Sequence, residues 1–167
     1  MEDIMEENLE LRKLREVLNL PEIRSGRISK DVPHSYLSMF KTGKMAHFER
    51  ERYLLLKIEL NKCSVRLKEF FSKEVVAKDD YVVKLLDILA TPYLSLRKIY
   101  ASIEVGAEKP SFQYLCWSYY VPRGGFKVEP KGELIEKYKA FFEQLRYEML
   151  LLASKIKINE TFSKRKP

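Results

Sequence analysis

Four basic side chains between residues 44 and 57 have the types and spacing to bind phosphate. His47, Arg50 and Lys57 lie three and seven residues apart, so they share one stripe if the segment is a helix. Lys44, just before the segment, can join them. A guanidinium and an ammonium can hold a triphosphate while the imidazole donates a further hydrogen bond. The alternative is a solvated basic face, whose charge Glu51 reduces.

An aromatic-rich segment further along the chain could bind a nucleotide base. Trp117 is the only tryptophan of the sequence, and Arg123 follows it in a turn that contains two glycines. Aromatic faces stack on bases without demanding a sequence, and Arg123 could then reach a phosphate. The alternatives are a Trp117 packed in the core or against a hairpin and a solvated Arg123. The candidate nucleotide-binding residues are therefore Lys44, His47, Arg50, Lys57, Trp117 and Arg123.

The residues suited to metal binding are few and scattered. Cys63 and Cys116 are far apart and have no C-x-x-C spacing, so neither a disulfide framework nor a metal site is indicated. With His34 and His47 they could supply four ligands only if the fold brought all four together, whereas isolated cysteines are usually buried and inert. We expect no metal site and no cofactor bound by this chain.

Motifs of self-sufficient enzymes are absent from the sequence. It has no G-x-x-x-x-G-K-S/T phosphate loop, no G-x-G-x-x-G, no H-E-x-x-H and no G-x-S-x-G. Two-metal nucleotidyl transfer needs clustered carboxylates, but Asp79 and Asp80, the only adjacent aspartates, fit a solvated helix N-terminus better. We therefore expect no enzymatic activity from this chain on its own.

Composition predicts a basic protein with a single core. The chain has 167 residues, of which 46% are hydrophobic, enough for one domain. Its net charge is +7, but the first 20 residues hold six acidic and three basic side chains, so the remainder carries +10. Such an excess attracts nucleic acid or nucleotide phosphates. No apolar run reaches the ~20 residues of a membrane span and the acidic start does not resemble a signal peptide, so we expect a cytoplasmic protein without a membrane partner.

The apolar periodicity predicts a mainly α fold, a single-domain helical bundle. Pro21 should end the first helix and Ser64 should cap the fourth. Apolar residues on nearly every side of the third helix predict that it is central and largely buried. A short β-hairpin is expected near residues 112–128, where aromatic and β-branched runs flank a turn. The expected helices cover residues 4–19, 33–40, 45–61, 64–71, 80–90, 92–103 and 133–158.

Residues 32–73 resemble the C-terminal domain of the primase large subunit, and they cover about a quarter of the chain. The family pattern runs from Pro-Cys through a loop glycine to His-x-x-Arg at the start of a helix. An apolar run follows, and then a second helix that ends near Leu-Phe-Ser. The counterparts here are Pro33-His34, Gly43, His47 to Arg50, Leu54 to Leu60, and Phe70-Phe71-Ser72.

The sequence also departs from this family pattern. The family's domain holds a four-iron cluster on four cysteines, but the first such position is His34 here and only Cys116 lies where a later ligand could fall. A normal cluster is therefore not expected. The Ile-Gly that usually follows the apolar run is Asn61-Lys62. The archaeal primase subunit PriX, a cluster-free relative, is similar in size, in its missing cysteines and in its retained His-x-x-Arg.

The resemblance implies a non-catalytic subunit of a replicative DNA primase that binds the initiating nucleotide, and later the primer 5′-triphosphate, and supports RNA primer initiation. Its partners would be the catalytic small subunit, which shares the metal-bound nucleotide, the large subunit, and the single-stranded DNA template with its RNA primer. Residues 1–20 would form an acidic docking helix, 21–158 the primase-like helical domain and 159–167 a basic tail. The alternatives are a helical replication scaffold similar to a GINS subunit and a basic helical RNA-binding subunit of a ribonucleoprotein.

Overall fold

Helices account for most of the described chain. The computed structural model describes residues 4–106, 109–113, 115 and 131–159. The prediction of a mainly α fold is confirmed. The helices whose bounds fall in those ranges are α1 (Leu9–Leu18), α2 (His34–Lys41), α3 (Arg50–Phe71), α4 (Asp79–Leu89), α5 (Leu96–Ser102), α6 (Lys131–Lys137) and α7 (Lys139–Ile156), with a 3₁₀ helix at Ser25–Arg27.

A two-stranded antiparallel sheet joins the N-terminal segment to the start of the central helix. Its strands are β1 (Ile4–Met5) and β2 (Phe48–Glu49), with Met5 opposite Phe48. This sheet is not at the position of the predicted hairpin. Of residues 112–128, only 112, 113 and 115 are described, and those three are helical. The rest of that prediction lies outside the described residues.

α1 is shorter than the predicted helix over residues 4–19. It begins at Leu9 because the preceding residues pair in the sheet and the side chain of Asn8 accepts a 2.9 Å hydrogen bond from the N–H of Leu11, a typical N-terminal cap. Leu9 itself is 65% exposed. The inner face of α1 is fully buried in the core that it shares with the other helices, through Leu11, Leu14, Val17 and Leu18.

One long helix replaces the two that were predicted between residues 45 and 71. α3 begins at Arg50, later than predicted, because Phe48 and Glu49 are held as a strand. Ser64 does not cap a new helix, and that prediction was wrong. Its hydroxyl donates a 2.6 Å hydrogen bond to the carbonyl of Ala153 on α7, so the side chain is satisfied inside the core and the helix continues past it.

α3 and α7 form the centre of the bundle. α3 packs along α7 more extensively than along any other described element, while α4 packs against α6 and α1 against α2. Among the ranges described, no helix is both long and apolar enough to cross a bilayer. The apolar stripes that α3 and α7 bury are Leu56, Leu60 and Leu67 on α3, and Phe142, Leu145, Met149 and Leu152 on α7.

Two further predicted helices differ from the structure by more than one residue at a boundary. The helix expected over residues 133–158 is divided at Tyr138, whose φ is −119°. Its N–H still donates to the carbonyl of Leu134 at 3.0 Å and its carbonyl accepts from the N–H of Phe142 at 3.2 Å, so the division is a kink. α5 starts at Leu96 and not at residue 92, because the side chain of Ser95 caps the helix N-terminus.

The adjacent aspartates lie where the sequence predicted them, at the N-terminal end of a helix. α4 begins at Asp79, and Asp80 is exposed in its first turn. A carboxylate oxygen of Asp80 lies 3.6 Å from the ammonium of Lys84. Both side chains of this pair are about two-thirds exposed, so the pair is a solvated surface contact of small energetic value.

We expect Leu60→Ala to lower the free energy of unfolding by about 2–5 kcal/mol, because Leu60 is fully buried on α3 and its truncation leaves a cavity. Leu54→Ala on the same helix is the matched control. Leu54 is 43% exposed, so its loss should be about 1 kcal/mol or less. Urea unfolding followed by circular dichroism measures both. Equal losses of stability in the two variants would contradict the orientation of α3, in which Leu60 faces the core and Leu54 faces solvent.

Candidate functional site

A glycine turn sets the direction of the segment between α2 and α3, which carries two of the candidate residues. Gly43 has a left-handed φ of +80°, which favours glycine. Its N–H donates to the carbonyl of Phe40 at 3.1 Å, and the N–H of Lys44 donates to the carbonyl of Met39 at 3.0 Å. This pair of bonds is the Schellman pattern at a helix C-terminus. The chain therefore leaves α2 in a defined direction, with Lys44 exposed on the turn.

Phe48 anchors the other end of the same segment. Its side chain is fully buried, with ring centroids 5.0 Å from Tyr36 and 4.8 Å from Phe40 in edge-to-face contacts. The N–H of Glu49 donates a 2.8 Å hydrogen bond to the hydroxyl of Tyr36. Phe48 is thereby held in the core, and His47, which directly precedes β2, is exposed.

Arg50 is the first residue of α3 and is exposed. His47 lies before the helix, so the predicted helical stripe through His47, Arg50 and Lys57 does not form. The structure instead exposes Lys44, His47 and Arg50 along the segment that runs from the end of α2 to the first residue of α3, and we refer to these three residues as the α3 N-terminal surface. The aligned peptide dipoles of this 22-residue helix place partial positive charge at its N-terminal end.

Lys57 belongs to a different part of the structure. Only 10% of its side chain is exposed, and its ammonium lies 3.3 Å from the carboxylate of Glu10. The hydroxyl of Tyr53 donates a hydrogen bond to the same carboxylate, and the Lys57 ammonium lies 5.7 Å from the centroid of the Tyr53 ring. Glu10 lies on α1, and its side chain reaches this side of α3. Lys57 therefore neutralises a carboxylate that is itself nearly buried and does not extend the α3 N-terminal surface.

Two acidic residues adjoin the α3 N-terminal surface. The carboxylate of Glu49 is engaged by Arg52, whose Nε lies 2.9 Å away and whose guanidinium stacks over the ring of Tyr36 at 4.4 Å. Glu51 is exposed in the first turn of α3. The charge of Glu51 therefore lowers the net charge of the surface.

The residues considered for metal binding do not form a site in the described part of the chain. Burial raises the pKa of the Cys63 thiol to about 11, so the thiol stays protonated at neutral pH and is a poor metal ligand. In the described ranges, no three His, Cys, Asp or Glu side chains are grouped to hold a metal ion. Cys116, Trp117 and Arg123 lie outside the described residues, so their proposed roles stay predictions.

A second basic surface, which sequence reasoning missed, lies where the loop after α1 meets the turn between α4 and α5. A cleft of about 520 Å³ there is lined by Arg24, Arg27, Arg97 and Phe112, among others. We refer to it as the arginine cleft. Arg97 is separated from Arg24 by more than seventy residues, so no spacing rule connects them. The only local indication of this cleft in the sequence was the presence of two arginines, Arg24 and Arg27, in the short loop after α1.

The outward face of α3 carries an apolar groove. Leu54, Ile58 and Val65 are 43%, 51% and 54% exposed, and together with Lys62 and Arg66 they line a depression of about 670 Å³. The prediction of a largely buried helix therefore holds for the face toward α7 but not for this one. Exposed apolar surface of this kind is typical of interaction sites.

Comparison with known proteins identifies no family for this chain. The chain matches no protein-family model, no curated protein and no solved structure. The resemblance to the primase large subunit therefore rests on the motif residues within 32–73.

We expect Lys57→Met and Glu10→Gln each to lower the free energy of unfolding by about 3 kcal/mol, because each removes one partner of a nearly buried ion pair. The double variant Lys57→Met/Glu10→Gln should recover much of the loss, since no charge then remains unpaired. Urea unfolding of the three variants and the wild type gives the free energies for this double-mutant cycle. Unchanged stability of Lys57→Met would show that Glu10 does not hold Lys57 in solution.

Proposed function

We propose that this protein is a non-catalytic subunit of a replicative DNA primase that binds the triphosphate of the initiating nucleotide. The observation that carries the proposal is the α3 N-terminal surface, where Lys44, His47 and Arg50 are all exposed. These residues lie in the segment that resembles the primase large subunit, and His47 and Arg50 are the two fixed positions of its His-x-x-Arg motif.

The chemistry of this surface suits a triphosphate. The Arg50 guanidinium can donate paired hydrogen bonds to phosphate oxygens, and the Lys44 ammonium adds a compact positive charge. The N-terminus of a long helix also attracts anions. The turn at Gly43 and the buried ring of Phe48 hold the segment at both ends. A segment that is ordered before binding loses less conformational entropy when the ligand arrives.

In this proposal the catalytic small subunit forms the phosphodiester bond and this chain contributes positioning. Holding the triphosphate of the first nucleotide beside the active site makes the formation of the first dinucleotide effectively intramolecular. The same contacts would later hold the 5′-triphosphate of the RNA primer. The small subunit would hold the metal ions that the nucleotide brings, so this chain needs no cofactor of its own.

The described acids of the N-terminal segment differ in how accessible they are to a partner subunit. The side chain of Glu10 is nearly buried in an ion pair. Glu6, Glu7 and Glu16 are exposed, although the carboxylate of Glu7 lies 3.2 Å from Arg15. A small or large primase subunit that docks on this segment would therefore contact Glu6 and Glu16 but not Glu10.

A helical replication scaffold similar to a GINS subunit is the second candidate. The apolar groove of Leu54, Ile58 and Val65 favours it, because a scaffold needs a surface that a partner protein can cover. A scaffold would bind no nucleotide. The two candidates therefore differ in one measurable property, the preference for a 5′-triphosphate.

We expect wild-type protein, assembled with its catalytic partner, to bind a 5′-triphosphate primer more tightly than the same primer with a 5′-hydroxyl. Arg50→Ala should weaken binding of the triphosphate primer about ten-fold or more, because a charge-assisted hydrogen bond is worth about 1.5–3 kcal/mol. His47→Ala should weaken it less. Fluorescence anisotropy measures the affinities, and circular dichroism checks that each variant is folded.

Arg66→Ala is the matched control for Arg50→Ala. Arg66 is an exposed arginine of the same helix, about 24 Å further along it at 1.5 Å per residue. Its removal should leave the preference for the triphosphate unchanged. An equal loss in both variants, or a wild-type protein without any such preference, would contradict the proposal. Binding of RNA without regard to its 5′ end would favour the ribonucleoprotein alternative.

A further inference from the structure

A backbone bridge holds together the two walls of the arginine cleft. Ile23 and Leu94 pair in an isolated antiparallel bridge, and both are buried. A 2.8 Å hydrogen bond from the N–H of Arg24 to the carbonyl of the residue before Leu94 flanks the bridge. Arg24 and Arg27 therefore lie on one wall and Arg97 on the other, in a fixed relation.

No described carboxylate forms an ion pair with the three arginines of the cleft. Among the residues that the structure describes, no carboxylate lies within 4.0 Å of the guanidinium groups of Arg24, Arg27 and Arg97, and the cleft has no acidic lining residue. Arginines elsewhere differ, since Arg15 and Arg52 lie 3.2 and 2.9 Å from a carboxylate. Three like charges around one concave space favour an anionic ligand.

Arg97 is oriented by an aromatic stack. The carbon at the centre of its guanidinium lies 4.6 Å from the centroid of the Phe112 ring, and Phe112 packs edge to face against Tyr100 at 5.2 Å. Stacking fixes the plane of a guanidinium while its N–H groups, which lie in that plane, stay able to donate. Arg97 thus presents donors to the cleft before any ligand binds.

We propose that the arginine cleft binds the phosphate backbone of a single-stranded nucleic acid. The three guanidinium groups suit phosphate oxygens. Leucine side chains and Phe112 also line the cleft, which favours a ligand with an apolar part, such as a nucleotide, over inorganic phosphate. A basic groove combined with aromatic side chains is the usual pattern for single strands. This site shares no residue with the α3 N-terminal surface and does not depend on the primase role.

A neighbouring depression adjoins the cleft, and a strand bound in the cleft could extend toward it. Arg27 and Pro92 line both the cleft and this second space of about 440 Å³. The second space contains Lys30, but Asp31 and Glu59 reduce its positive charge. The phosphate contacts therefore belong to the arginine cleft, and the depression accommodates the strand as it leaves.

Fluorescence anisotropy with a labelled 5′-hydroxyl oligothymidylate tests the site, because this probe lacks the triphosphate assigned to the α3 N-terminal surface. We expect Arg27→Ala and Arg97→Ala each to weaken binding several-fold, and the double variant about ten-fold or more. The slope of log affinity against log salt should fall by about 0.7 for each arginine removed. Arg97→Lys should keep the salt slope but lose affinity, because an ammonium lacks the planar donor fork.

Arg12→Ala is the matched control, since Arg12 is an arginine with a 61% exposed side chain outside both basic surfaces. Its affinity should equal that of the wild type, and urea unfolding should show that all variants are folded. Three results would overturn the proposal: wild-type affinity in the double variant, an equal loss in Arg12→Ala, or a duplex of the same sequence bound as tightly as the single strand. Arg50→Ala should not affect this probe, so either proposal can fail without the other.

Discussion

The packing of α3 against α7 is the constraint on which the rest of the structure depends. Each fully buried leucine in this contact contributes about 1.5–3 kcal/mol, but apolar contacts alone do not set the register of two helices. The Ser64 hydroxyl donates to the carbonyl of Ala153 at 2.6 Å. The side chain of Asn61 forms two hydrogen bonds, of 3.1 and 2.8 Å, with the backbone of Ile158. Sliding either helix would leave these polar groups without partners, which costs more than the bonds contribute.

Once α3 is fixed, its faces acquire different roles. The side toward α1 carries Lys57, whose charge is matched by Glu10. The N-terminal end exposes Arg50, and the outward face leaves the apolar groove uncovered by described residues. A basic residue on this helix therefore has a structural role where another helix pairs with it, as for Lys57. It is accessible to a ligand where it is exposed, as for Arg50.

Both basic surfaces lie on irregular segments that specific contacts hold in place. The turn at Gly43 positions one, and the bridge between Ile23 and Leu94 positions the other. α2 contacts both regions, because the ammonium of Lys41 donates a 3.0 Å hydrogen bond to the hydroxyl of Ser25 in the loop that carries the arginines. Loops on a rigid helical scaffold commonly carry binding residues, and here the scaffold constrains each loop near its ends.

The sequence by itself determined the helical class and, to within one residue, the bounds of α2, because these follow from the local periodicity of apolar residues. Tertiary structure decided that Ser64 lies inside a helix, that Lys57 pairs with α1 and that Arg97 faces Arg24. A helix repeats every 3.6 residues, so spacing shows which residues share a face. Which neighbour covers that face depends on contacts between residues far apart in the chain, and those contacts exist only once it has folded.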